Sequence, residues 1–290
     1  MYDLEQQIRT ALCATIIPVA LFAASSADAA VTVVPQSALT PSTSYYTDSI
    51  GGGLGPIAVM TGGDNASNIG ALDGRNDDGF MGPIDLGFTL SFFGADYTQF
   101  WANNNGSISF TSGISLFLPT GPQGANAPII SPFFADVDTR NLASGVMHVR
   151  TDIANEIIVT WDAVGRFASL GDKLDSFQLV VRGPDYAIPV GEGAIGFFYK
   201  DMQWDVAVTS QTAAVGFGDG SANGEVIDGS NLPGMAAVLS NHHIWFDPNL
   251  APVQQAPVPQ VPEPETYAMM LLGLGAVGFA VRRRKQRRAA

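Results

Sequence analysis

The sequence predicts an all-β protein: an antiparallel β-sandwich with an N-terminal signal helix before it and a short C-terminal transmembrane helix after it. Three observations predict this. Short runs of alternating apolar and polar residues recur between about residues 80 and 247, with turn residues between them. No stretch inside 31–260 keeps helical periodicity for three turns. An apolar run with charged flanks stands near each end of the chain.

The clearest strand is Asp85–Phe92, where Leu86, Phe88, Leu90 and Phe92 share one face. Similar runs occur at Ser107–Phe110, Val146–Arg150, Glu156–Trp161, Ser176–Val181, Ala194–Tyr199, Ala213–Phe217 and His242–Phe246. Turn signals divide them: Asn103-Asn104-Asn105-Gly106, Gly183-Pro184-Asp185, Gly218-Asp219-Gly220 and Asp228-Gly229. Alternation implies one buried face per strand, as two packed antiparallel sheets require. Five segments follow: a signal peptide at 1–29, an N-terminal arm and glycine-rich loop region at 30–74, the sandwich at 75–247, a proline-rich linker at 248–260, and a sorting tail at 261–288.

At the front, Ala11–Ala24 is an apolar h-region, and Ala27-Asp28-Ala29 supplies a small-x-small cleavage pattern. Cleavage after Ala29 removes Cys13, so the exported domain must be stable without disulfides. At the back, Val261-Pro262-Glu263-Pro264-Glu265 precedes the apolar run Tyr267–Val281. Then come Arg282, Arg283, Arg284, Lys285, Arg287 and Arg288, a basic cluster retained on the cytoplasmic side of a membrane. The apolar run has 15 residues, short against the roughly 20 that a spanning helix needs. Six of them are Gly or Ala, which suits a transient anchor better than a permanent one.

Proline-glutamate-proline, apolar run and basic cluster, in that order, resemble the PEP-CTERM sorting signal of Gram-negative bacteria. The resemblance implies recognition near Pro262, Glu263 and Pro264 by an exosortase-type enzyme. It also implies transient anchoring in the inner membrane, then export to the surface or the exopolysaccharide matrix.

Residues 31–260 carry 7 Lys+Arg against 22 Asp+Glu, a net charge of −15, which the whole-chain value of −13 conceals. So acidic a body argues against nucleic-acid or anionic-membrane binding and could hold divalent cations.

A second resemblance lies in the centre. Ile129-Ile130-Ser131-Pro132-Phe133-Phe134-Ala135-Asp136-Val137-Asp138-Thr139-Arg140 is similar to the opening signature of the NIDO domain of nidogen-like proteins. In the family's order follow Ile158-Val159-Thr160-Trp161, Asp175-Ser176-Phe177-Gln178, Gly196-Phe197-Phe198-Tyr199 running to Trp204, and Ala214-Val215-Gly216-Phe217. Upstream, Asn76-Asp77-Asp78-Gly79, Asp85-Leu86-Gly87-Phe88 and Asn103–Gly106 resemble the lead-in of bacterial versions. The resemblance implies an extracellular role in cell–matrix adhesion and no enzymatic activity.

Asp136, Asp138 and Arg140, at i, i+2 and i+4, share one face if the segment is extended. The simpler reading is a surface ladder in which Arg140 compensates two carboxylates. The sharper one is a cation site, with calcium the ion, completed by a loop carboxylate such as Asp162. The ladder needs less, because calcium takes six to eight oxygens and only two are placed. The loop Asp73–Gly79 is oxygen-rich but lacks the EF-hand order, and turn chemistry explains it. Trp161 and Trp204 read as core anchors, whereas Trp101 and Trp245 border loops and are the candidates for stacking on sugars. Neither a metal-binding histidine pair nor a nucleophile elbow occurs, and no carboxylate pair stands out. Three functions remain open: an adhesive surface or matrix protein, a carbohydrate-binding module retained in exopolysaccharide, and a secreted β-sandwich hydrolase.

Overall fold

The computed structural model describes residues 30–254, apart from 65 and 208–210, together with residue 272. In chain order its strands are β1 (Val31–Val34), β2 (Thr40–Pro41), β3 (Gly62–Gly63), β4 (Gly79–Phe92), β5 (Ala95–Asn103), β6 (Ser107–Ser109) and β7 (Ile129–Phe134). They continue as β8 (Met147–Ile153), β9 (Glu156–Arg166), β10 (Leu170–Arg182), β11 (Ile195–Met202), β12 (Ala214–Gly218), β13 (Gly224–Ile227) and β14 (His242–Phe246). Two five-residue helices, α1 (Tyr46–Ile50) and α2 (Met235–Leu239), join them.

The strands form two sheets. One runs β1-β13-β12-β7-β6-β5-β4-β3, the other β2-β14-β11-β10-β9-β8. The pairings are antiparallel save β1 with β13. Between the sheets lies one large apolar core. Phe100, Ile108, Phe133 and Phe217 from the first sheet meet Val159, Trp161, Phe177, Leu179 and Phe197 from the second, all fully buried. Rings interlock across it: Phe133 packs tilted against Phe177 at 5.3 Å between centroids, and Phe197 stacks on Phe217 at 5.3 Å. The all-β, two-sheet reading therefore holds. Leu86, Leu90 and Phe92 of β4 point into the core as their alternation predicts, and Phe88 packs at its edge.

The N-terminal arm is built into the sandwich. Its β1 edges the first sheet and its β2 edges the second. Between them and the glycine-rich loop, Tyr45 and Tyr46 lie buried on the outer face of the second sheet, and Thr47 hydrogen-bonds Gln178. Consequently β9 to β11 are covered on both faces, and the single buried face expected from alternation does not apply to them.

Among the described residues no helix is long and apolar enough to cross a membrane. The signal peptide 1–29, the sorting residues Pro262, Glu263 and Pro264, the run Tyr267–Val281 apart from Leu272, and the basic cluster Arg282–Arg288 lie outside them.

Candidate functional site

Three segments converge at one corner of the sandwich: the loop 73–79 that leads into β4, the turn 103–106 between β5 and β6, and residues 135–140 after β7. The turn is held tightly. Gly106 has φ +79°, and a Cβ there would meet the Phe133 carbonyl oxygen at 1.8 Å, so only glycine fits. From the second sheet, the Trp161 indole N–H donates to the carbonyls of Asn103 and Asn104, at 3.2 and 3.0 Å. Asn105 ties the other two segments together. Its amide donates to Asp78 at 2.8 Å, and its oxygen accepts from the Val137 N–H at 2.9 Å.

Residues 136–140 are not a strand face. β7 ends at Phe134, and the following residues make only isolated bridges, Val137 with Arg166 and Asp138 with Asp77. The chain sinks between two loops, so Asp136, Val137, Asp138 and Thr139 are all buried and the expected surface ladder is absent. Arg140 pairs with Asp138 at 2.6 Å and with Asp77 at 2.7 Å.

Asp138 is saturated: it accepts from the Arg140 side chain and N–H and from the Ser169 N–H. Asp136, two residues earlier, is 2% exposed, and neither of its oxygens has a hydrogen-bond partner. One carboxylate oxygen each from Asp77, Asp78 and Asp136 lie within 4.8 Å of one another. Asp77 Oδ1 and the side-chain oxygens of Asn76 and Asn104 are likewise buried without a partner. Burial, reinforced by the neighbouring carboxylates, pushes both Asp77 and Asp136 up to about 7; Asp78 is raised for the same leading reason.

The structure thus brings Asp136 together with Asp77 and Asp78, and commits Asp138 to Arg140. Asp162 is elsewhere, accepting from the Tyr45 hydroxyl at 2.9 Å. Asp77 and Asp78 belong to the loop that sequence reasoning assigned to turn chemistry. Asp78 does occupy a left-handed conformation, φ +54°, but its carboxylate also faces the cluster. This corner could hold a hard cation. It presents no open carboxylate pair to a substrate, since Asp77 and Asp136 are 6% and 2% exposed.

The two tryptophans proposed as a sugar platform sit on different sheets. Trp245 on β14 is 4% exposed, packed edge-on against Tyr46 and Phe198 with the Arg182 guanidinium 4.3 Å from its ring, because the N-terminal arm covers that face. Trp101 on β5 is half-buried. They form no shared platform. Trp161 and Trp204 are core residues, at 0% and 3% exposure.

The NIDO-related family profile matches residues 55–251, which take in both sheets and the acidic corner. The chain belongs to the NIDO-related family. A second profile, the PEP-CTERM protein-sorting motif, matches residues 260–285. Mouse alpha-tectorin is 40% identical over 62 residues, 21% of this chain and 3% of its own length. Chicken alpha-tectorin is 27% identical over 161 residues, 46% of this chain and 7% of its own. The chain therefore spans under a tenth of the length of these relatives. No solved structure matches it. A NIDO-related domain joined to this sorting motif supports an exported protein sorted by an exosortase-type enzyme.

Proposed function

We propose that this NIDO-related protein works outside the cell as a non-enzymatic adhesion module, retained at the surface or in the extracellular matrix after its tail is processed. One observation carries the reading: a single chain couples a NIDO-related domain at 55–251 to a sorting motif at 260–285, with only a proline-rich segment between. The burial of Trp245 counts against the sugar-platform alternative, and the burial of Asp77 and Asp136 counts against a hydrolase. A matrix protein or the exopolysaccharide itself is the expected partner.

The test separates sorting from adhesion. Replacing Pro262, Glu263 and Pro264 with alanines should hold the full-length chain in the membrane fraction. Wild-type protein recovered from the surface should lack Arg282–Arg288 by mass spectrometry. Cells carrying the alanine variant should attach more weakly to a matrix-coated surface. Surface protein that still ends in its arginines, or attachment unaffected by loss of the whole gene product, would overturn the proposal.

A further inference from the structure

We propose that Asp77, Asp78 and Asp136 bind a calcium ion that clamps the loop before β4 to the segment after β7. The geometry fits one shared ion. Calcium–oxygen bonds run about 2.3–2.6 Å, so two oxygens on one ion stand at most about 5.2 Å apart. The three carboxylate oxygens here lie within 4.8 Å of each other.

The independent observation is the state of Asp136. A carboxylate at 2% exposure with no donor on either oxygen is costly, because burial removes water and supplies nothing in return. Among the described residues the cation at this corner is already engaged: Arg140 is bound to Asp138 and to Oδ2 of Asp77. With all four ionised, these carboxylates against one guanidinium carry −3 at the corner, which a divalent ion lowers to −1. The buried, partnerless side-chain oxygens of Asn76 and Asn104 come from the same converging segments. Carboxylate and amide oxygens are the hard donors that calcium collects in irregular sets of six to eight. Magnesium demands a near-ideal octahedron and keeps much of its water, which a sealed corner built from three loops does not suit.

The ion would join segments that lie far apart in sequence, so binding should appear as stability. The test uses the whole chain in mild detergent after treatment with EDTA. Extracellular modules bind calcium at about 10⁻⁴–10⁻³ M. At a hundredfold excess over Kd, calcium chloride should raise the melting temperature by about 5–10 °C for a domain of this size. Magnesium chloride at equal ionic strength should do much less, and calorimetry should count one calcium ion per chain. Asp136→Asn should abolish the rise, yet melt no lower than the chelated wild type, because it also removes the repulsion. If that variant does not fold, Asp78→Asn gives the same reading at a half-buried position, and Asn tolerates the left-handed backbone there. Asp162→Asn, outside the cluster, should keep the full rise. No calcium-dependent shift in the wild type, an equal shift with magnesium, or a shift surviving in Asp136→Asn would each overturn the proposal. So would loss of the shift in variants that melt below the chelated wild type, since that is the mark of a structural role alone.

Discussion

Arg182 and Asp136 are both buried charges in the same sandwich, but their surroundings differ in kind. Arg182, on β10, is fully buried beside its strand neighbour Glu156 on β9, with which it is in register. It donates to Glu156 at 2.8 Å, to the Gly193 carbonyl at 3.0 Å, to the Tyr46 hydroxyl at 2.8 Å and to Glu192. Its guanidinium also lies 4.3 Å from the Trp245 ring and 4.4 Å from the Tyr186 ring. Asp136 has like charges for neighbours and no donor. Sheet register places opposite charges side by side, and the chain closes the Arg182 cluster itself. Two loops bring acids together at the Asp136 corner, and among the described residues no donor reaches Asp136.

Breaking the self-closed cluster should have the largest effect. Arg182→Ala strands Glu156 in the interior and removes the ring contacts, so it should cost about 3–5 kcal/mol in urea unfolding. Replacing Arg182 and Glu156 together with Met and Leu should cost much less, because no lone charge stays buried. A single variant within 1 kcal/mol of the wild type would erase the contrast between the two regions.

Next in size is the support of the acidic corner. One Arg75 nitrogen, Nη1, donates to the carbonyls of Thr139, Asn141 and Ser144, at 2.7, 2.6 and 2.9 Å. These fix the chain just beyond Asp138. Arg75→Ala should cost about 1.5–3 kcal/mol, the range for hydrogen bonds to a charged group. It should also blunt the calcium-dependent rise in melting temperature, which Arg182→Ala should leave intact. Loss of the rise in both variants would mean that the two regions are not independent.

The sequence carried the fold further than the site. Period-two alternation located β4 most directly, where Leu86, Leu90 and Phe92 turn inward and Gly87, Thr89 and Ser91 stay exposed. It missed β7, Ile129–Phe134, which is buried at every position and so has no polar phase to read. It also missed β5, whose first five residues, Ala95–Gln99, are mostly exposed and mark no apolar stripe. Asp136 stood out by its spacing from Asp138 and Arg140, yet that spacing presumed an extended strand which ends two residues earlier. Its partners, Asp77 and Asp78, come from a distant loop, and which loops meet is decided by sheet order rather than by any local pattern. The same holds for Trp245: its burial depends on Tyr46, brought over it by an arm that composition marks only as rich in Ser, Thr and Pro.

The smallest expected effect concerns another buried charge, Asp175, which stands between the two cases. One oxygen accepts from the backbone N–H groups of Gln203 and Trp204, at 2.6 and 3.1 Å; the other is buried without a partner. Burial, outweighing those two hydrogen bonds, holds its pKa well above 3.8. The folded state therefore keeps a proton at pH values where the unfolded chain has lost it. By linkage, the penalty is complete above the folded pKa, shrinks as the pH falls through it, and vanishes below about 3.8. Asp175→Asn removes that titration and keeps an oxygen for both N–H donors. In chelated protein the variant should be the more stable of the two at pH 8, and the curves should converge as the pH approaches 4. Asp152 and Asp172, ion-paired to Arg150 and Arg166 and shifted downward, act only at lower pH, so they do not mask the convergence. Melting both proteins across that range checks it: a constant gap at all pH values would show that Asp175 does not titrate between the folded and unfolded states.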